Sequence, residues 1–174
     1  MPRELSPLTD QPSSLGSVEE RGAEQRALFR RWPAGVSIVV AEVDGVRHGR
    51  TVSSLVSLSL EPALVGVSVA HSASIHELLR SAETWGVSIL AGGQEELAQR
   101  FARSGVPPLI LWDGVPLRAD DPRLIEGAAG WLTVRTLETL ITGDHTFFVG
   151  EVESVEEGTA PTTLVYAYRD YHAL

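Results

Sequence analysis

Short β-branched runs dominate the hydrophobic pattern of this chain. Val36-Ser37-Ile38-Val39-Val40-Ala41 reads as a buried strand, and Asp44-Gly45 is a strong two-residue hairpin turn, so 46–52 is the returning strand. From 53 to 60 the pattern alternates: Ser53, Ser57 and Ser59 share one parity, while Ser54, Val56, Leu58 and Leu60 share the other. Such alternation gives a strand one largely apolar face and one that carries hydroxyls. Glu61-Pro62 breaks it, and 63–70 is a further buried strand. Runs at 85–90, 130–141, 146–155 and 163–168 bring the total to about seven strands.

Helical signals are fewer. Ser17 with Glu20 three residues on is a capping box, and the helix it opens stops at Pro33. Ser74 with Glu77 repeats that spacing and predicts a short helix through Leu79. A third helix is expected over 94–103, with Leu97 and Phe101 one turn apart. The stretch 104–122 holds four Pro and two Gly and reads as a long connection, its centre Leu109-Ile110-Leu111-Trp112 being a short strand or a loop-anchoring cluster. Residues 1–16 are rich in Pro, Ser and Leu without periodicity. They are read as a flexible tail, leaving 17–174 as one domain. Strands joined mostly by turns predict a mainly β fold, an antiparallel β-barrel with peripheral helices, and argue against a doubly wound parallel sheet.

Composition narrows the chemistry. The 174 residues include no Cys, which removes thiol nucleophiles, Fe–S clusters and Cys-bound zinc. Lys is absent too, so there is no Schiff-base or phosphate-loop lysine. A net charge of −9 disfavours nucleic acid as a partner. No apolar run approaches a membrane span, and the first 16 residues lack a basic start followed by an apolar stretch, so the expected compartment is the cytoplasm. His71 and His76, five apart, are poorly spaced for one metal, and no metal is expected.

Two stretches carry candidate chemistry. His48-Gly49-Arg50-Thr51-Val52-Ser53-Ser54 continues into Ser57-Leu58-Ser59-Leu60-Glu61-Pro62. Its hydroxyls and backbone N–H groups suit a polar planar ring and a phosphate, although a Ser-rich barrel strand would look the same. Thr142-Gly143-Asp144 is turn chemistry leading into a strand, which places His145 at a junction where side chains often line a pocket.

Together these stretches resemble the flavin reductase-like family, the short-chain NAD(P)H:flavin oxidoreductases. The resemblance runs from about Phe29 to Tyr171. Arg31-Trp32-Pro33-Ala34-Gly35-Val36 resembles the approach to the family's first strand, and 49–62 its main flavin-binding segment. The stretches 85–90 and 95–102 resemble its next strand and helix, and 164–171 its closing strand. Gly143-Asp144-His145-Thr146-Phe147-Phe148-Val149-Gly150-Glu151-Val152 is the most specific match. Where many relatives carry Asn this chain has Ser53 and Ser88, and it contains no Asn.

The resemblance implies a split β-barrel of Greek-key type that forms a homodimer and binds FMN or FAD in a groove near the subunit interface. NADH or NADPH would be the reductant, and reduced flavin would pass to a separate flavin-dependent monooxygenase. By the same carry-over Arg50, Thr51, Val52, Ser53 and Ser54 would lie along the flavin, with Ser57 and Ser59 toward its phosphate. Ser74, Ser88, Phe101 and Arg103 would surround the same ligand, and His145 would face the nicotinamide or the flavin ring as the catalytic residue. Arg50, Arg100 and Arg103 would offset the negative charge of the chain near two anionic nucleotides. Two other readings stand beside this one: a flavoprotein that retains FMN and acts directly on an organic substrate, and a non-catalytic flavin-binding or electron-transfer barrel.

Overall fold

The computed structural model describes residues 16–174, so the tail expected over 1–16 lies, apart from Gly16, outside the described residues. The first helix, α1 (Val18–Phe29), carries the expected cap: Ser17 Oγ accepts from the Glu20 N–H at 3.1 Å, and Glu20 accepts from the Ser17 N–H at 2.6 Å. It ends at Phe29, ahead of Pro33, because Pro disfavours helical geometry in the residue before it. A two-residue strand β1 (Ala34–Gly35) leads into β2 (Ser37–Val43). The hairpin to β3 (Val46–Val52) uses Asp44 at φ 51° and Gly45 at φ 77°, the two left-handed positions its tight turn demands.

β4 (Val56–Leu60) is shorter than the alternation over 53–60 predicts, because 53–55 bends out of the sheet. β5 (Ala63–Ala70), α2 (His76–Ser81), β6 (Thr84–Ile89) and α3 (Glu95–Ala102) follow close to expectation. The predicted cap on α2 does not form. Ile75 holds the capping position without a side-chain bond, and Glu77 instead accepts from its neighbour His76. The Leu109 region is neither strand nor loop but a one-turn helix, α4 (Pro108–Leu111), that buries Leu111 and exposes Leu109 and Ile110. Pro108 at its first turn fits a helix start. β7 (Gly130–Thr142) and β8 (His145–Glu157) form a long hairpin, and β9 (Leu164–Ala167) pairs with β10 (Asp170–Ala173), which the apolar pattern did not reveal.

Every strand pairing is antiparallel. Seven strands run in the order β3-β2-β6-β7-β8-β5-β4, and β1-β9-β10 form a small second sheet. β2 is buried on both faces, which explains its unbroken apolar run. Val39 and Ala41 point into a core shared with Val67, Val69, Val87, Val134 and Phe148. Ile75, at the cap of α2, and Leu79 within it plug that interior. Ile38 and Val40 point the other way, into a layer with Phe101 of α3, Leu111 of α4, Ile125 and Leu164. Beyond the end of β3 the chain is tied to β5: Ser54 Oγ donates to Ser68 O at 2.9 Å and accepts from Ser68 N at 3.1 Å. Ser54 thereby adds a rung to the β4–β5 ladder where the backbone has left it.

Candidate functional site

A cleft of about 280 Å³ opens where β3 leaves the sheet. Arg50, Thr51, Val52, Ser53 and Ser54 form one wall; Ser68, Val69, Ala70 and Ala73 form the floor, and His145 closes the end. Sheet register makes this assembly, since Ala70 pairs directly with His145. The short side chains at 70 and 73 keep the floor shallow, and Val52 and Val69 belong to the buried core behind it.

Three of the wall residues, Arg50, Thr51 and Ser54, are held by side-chain hydrogen bonds. Arg50 Nη1 donates to Arg103 O at 3.2 Å and to Ser104 Oγ at 3.3 Å, which ties its guanidinium to the end of α3 and leaves further donors for an anion. Thr51 Oγ1 donates to Ala98 O at 2.7 Å, so toward the cleft it offers lone pairs. Ser53 sits exposed at the bend. His145 is oriented by the turn before it, where Gly143 adopts φ 69° and Asp144 Oδ1 lies 2.7 Å from His145 Nδ1. That hydrogen bond from His145 is the main reason the Asp144 carboxyl lies below its ordinary pKa. An ionised carboxylate places the imidazole proton on Nδ1 and leaves Nε2 as an acceptor.

Behind the turn lies a second layer. Thr146 points inward, with His76 Nε2 at 2.8 Å and His71 Nε2 at 3.1 Å from its hydroxyl. His76 Nδ1 meets Glu77 Oε1 at 3.0 Å, and the His71 N–H donates to Asp144 O at 3.0 Å. The two histidines thus brace the turn that carries His145, converging on one threonine.

Other expected site residues lie elsewhere. Ser57 is exposed and Ser59 half-buried on β4, and neither lines the cleft. Ser74 is exposed in the turn before α2. Ser88 is fully buried, its Oγ accepts from the Ile125 N–H at 2.8 Å, and it does not line the cleft. Phe101 is also buried, 1% exposed and packed edge-on against Trp112 with centroids 4.9 Å apart, away from the cleft lining. Arg103 is exposed and meets Arg50 through its backbone carbonyl, whereas Arg100 Nη1 donates to Asp113 O at 2.6 Å. Sequence reasoning missed Ser68, Ala70 and Ala73. Ser68 had a signal, being the one hydroxyl in the apolar run 63–70.

The cleft suits an isoalloxazine: a floor of short side chains, a polar rim of hydroxyl and backbone groups, and one anchored guanidinium for a phosphate. The family model described as "Flavin reductase like domain" matches residues 29–174. The chain belongs to the flavin reductase-like family. It is 33% identical over 156 residues to an NADH:FMN oxidoreductase of Rhodococcus qingshengii, covering 86% of this chain and 80% of that one. It is 34% identical over 144 residues to the reductase component of 4-hydroxyphenylacetate 3-monooxygenase of Thermus thermophilus, covering 83% and 91%. Among solved structures, the Streptomyces globisporus NADH:FAD oxidoreductase in complex with NAD and FAD fragments superposes with a TM-score of 0.81 at 30% identity, covering 93% of this chain and 97% of that one. The mainly β, antiparallel fold expected from the sequence is the fold of this flavin reductase.

Proposed function

We propose that the protein is an NADH-dependent flavin reductase that supplies reduced FMN or FAD to a partner monooxygenase. The observation that carries this reading is the joining of the 50–54 wall and His145 in one cleft, in a chain similar over most of its length to NADH:flavin oxidoreductases and to a monooxygenase reductase component. NADH gives a hydride and water a proton; the bound flavin supplies the hydride acceptor, and the products are NAD⁺ and the reduced flavin. The chain itself supplies binding and orientation. Arg50 would hold an anionic group at the cleft wall, Thr51 and Ser53 would offer polar contacts along it, and the short Ala70 and Ala73 side chains would leave room above the floor. His145 Nε2, left as an acceptor by the Asp144 contact, would receive a carboxamide N–H of the nicotinamide and orient it.

The same reading includes a single domain over 17–174, a cytoplasmic location and a homodimer. Among the described residues no helix is long and apolar enough to cross a membrane. In support of a homodimer, Val56, Leu58 and Leu60 are 43%, 44% and 85% exposed on edge strand β4.

The test mixes purified protein, NADH and free FMN or FAD and follows the NADH absorbance. Flavin-dependent loss of NADH is expected, and its absence with both flavins would overturn the proposal. His145→Ala is expected to lower turnover by roughly 10–100-fold while flavin affinity, read by fluorescence quenching, changes little. Equal turnover in the variant would remove His145 from the reaction.

A further inference from the structure

A cluster of titratable side chains outside the cleft surrounds the Thr146 hydroxyl, at the wall of a hollow of about 290 Å³ beside α2. Thr146 and His76 are 4% and 5% exposed, whereas His71 is open to solvent. Four groups stand in series. Glu77 Oε1 lies 3.0 Å from His76 Nδ1, His76 Nε2 lies 2.8 Å from Thr146 Oγ1, and that oxygen lies 3.1 Å from His71 Nε2. The two imidazoles meet edge to face, with centroids 5.0 Å apart. The charged groups around them are Glu77 and Arg80 on α2, and Asp144 with His145 on the turn between β7 and β8. β7 adds the uncharged Thr139 and Ile141, and β8 the ring of Phe148. Arg80 is held by Glu77 at 3.5 Å, and Asp144 by His145 at 2.7 Å. Among the described residues His71 Nδ1 has no bonded partner.

Hydrogen-bond counting gives this series two complete states. In the first, His76 donates from Nδ1 to Glu77, the Thr146 hydroxyl donates to His76 Nε2, and His71 Nε2–H donates to the Thr146 oxygen. A proton taken up at the exposed His71 Nδ1 lets both bonds at Thr146 reverse. His71 Nε2 gives its proton to the Thr146 oxygen, and the Thr146 hydroxyl gives its own to His76 Nε2. Every atom keeps a partner, and the gained charge rests on His76 beside an ionised Glu77. The hydrogen bond from His76 is the main reason the Glu77 carboxyl lies below its ordinary pKa. Charge left on His71 would have no carboxylate of its own, because Asp144 is already engaged by His145. A second proton finds no place. On His71 Nε2 it would strand the buried Thr146 hydroxyl without an acceptor and set two cations side by side.

We infer that His71, Thr146 and His76 form a one-proton relay, which carries a proton from solvent to the buried His76–Glu77 pair and keeps the turn that bears His145 braced as it does so. The relay stands on its own hydrogen bonds; its consequence for NADH rests on the flavin reductase reading. Without His71, a proton on His76 Nε2 would end the bond from Thr146 and loosen the residue next to His145. With it, the contact to the nicotinamide survives acidification.

The experiment uses the full chain, with its imidazole nitrogens labelled and followed by NMR between about pH 8 and 5, the range in which imidazoles change charge. His76 is expected to become imidazolium, and in the same step His71 passes from the Nε2–H to the Nδ1–H tautomer while staying neutral. Charge appearing on His71 instead, or His71 keeping its Nε2–H as His76 gains charge, overturns the inference. His71→Phe removes the point of entry and spares the backbone bond from residue 71 to Asp144 O. Its KM for NADH, divided by that of the unaltered chain, should lie within about twofold at about pH 8 and rise by about tenfold toward about pH 5.5, as the stranded hydroxyl predicts. The KM for FMN should not follow. His145 is present in both proteins, so the ratio removes its own response to pH. A flat ratio overturns the coupling of the relay to the turn. A chain that oxidises no NADH with flavin overturns the reductase reading instead, and the NMR spectra still decide the relay.

Discussion

At Thr146 a single hydroxyl serves two imidazoles, and the proton count fixes the arrangement. Glu77 draws the His76 proton to Nδ1, which leaves His76 Nε2 bare and able to accept from the Thr146 hydroxyl. The same oxygen must then accept from His71 Nε2–H. Thr146→Val keeps the shape and removes both partners, stranding the buried His76 nitrogen, so a loss of about 1–3 kcal/mol in urea unfolding is expected. Because the pair braces the Gly143–Asp144 turn, the variant should also raise the KM for NADH. An unchanged stability would mean that the shared hydroxyl contributes nothing. Ser88 gives the opposite pairing of outcomes. Ser88→Ala strands the Ile125 N–H and is expected to cost a similar 1–3 kcal/mol, yet it should leave flavin affinity alone because the side chain is sealed from the cleft. A large loss of flavin affinity at constant stability would place Ser88 back at the ligand.

Among the elements, the connection over 105–126 has little regular structure and is held by side chains of the barrel. Ile125 is gripped on both backbone groups, its N–H by Ser88 Oγ and its carbonyl by Trp131 Nε1 at 2.7 Å. Arg118 lies 4.4 Å over the Trp131 ring, forks onto Asp120 at 2.9 and 2.7 Å, and reaches Glu156 of β8 at 2.9 Å. Hydrogen bonding from Arg118 pushes the Asp120 carboxyl down to about 2, and contacts with Arg123 and His145 lower Asp121 and Asp144. A depressed carboxylate contributes fully above its unfolded pKa, near 4, and loses that contribution as pH falls through the folded value. The thermal midpoint is therefore expected to hold level above about pH 4.5 and to fall between about pH 4 and 2, less steeply in Arg118→Gln. A midpoint that rises on acidification from pH 5 to 3 would contradict this. These braces were invisible in the sequence, where 104–122 showed only its Pro and Gly, because the partners are far apart along the chain. The hairpins were legible because their determinants are local: Asp44-Gly45 and Gly143-Asp144 each set their own turn. The cap expected at Ser74 failed because Glu77 found a nearer partner in His76. The candidate site was half legible for the same reason. The 50–54 segment and His145 stand out in the pattern, whereas nothing local in the sequence shows that Ser88 and Phe101 are buried under Ile125 and Trp112.

For the whole molecule, the apolar side of β4 is the feature the single chain leaves unsatisfied. The alternation of 53–60 promised one buried face, and yet Val56, Leu58 and Leu60 stand exposed on a strand with β5 as its one neighbour. An open edge with apolar side chains is an aggregation hazard unless something covers it. Leu137 and Ile141 of β7 and Val155 of β8 are also exposed, 47%, 39% and 72%. A second copy of the chain against this surface would bury such residues, and the edge strand that carries Ser57 and Ser59 would then lie at the subunit boundary. Leu58→Glu sets a charge in the middle of that strand without touching the barrel interior, since Leu58 makes no part of either core. Sedimentation velocity is expected to show a dimer for the unaltered chain and a monomer for the variant, with an unchanged near-ultraviolet spectrum. Flavin affinity should fall with the loss of the dimer if the 57–59 segment contacts ligand across the interface. A variant that remains dimeric, or an unaltered chain that sediments as a monomer at micromolar concentration, would remove β4 from the interface and leave Ser57 and Ser59 as surface residues.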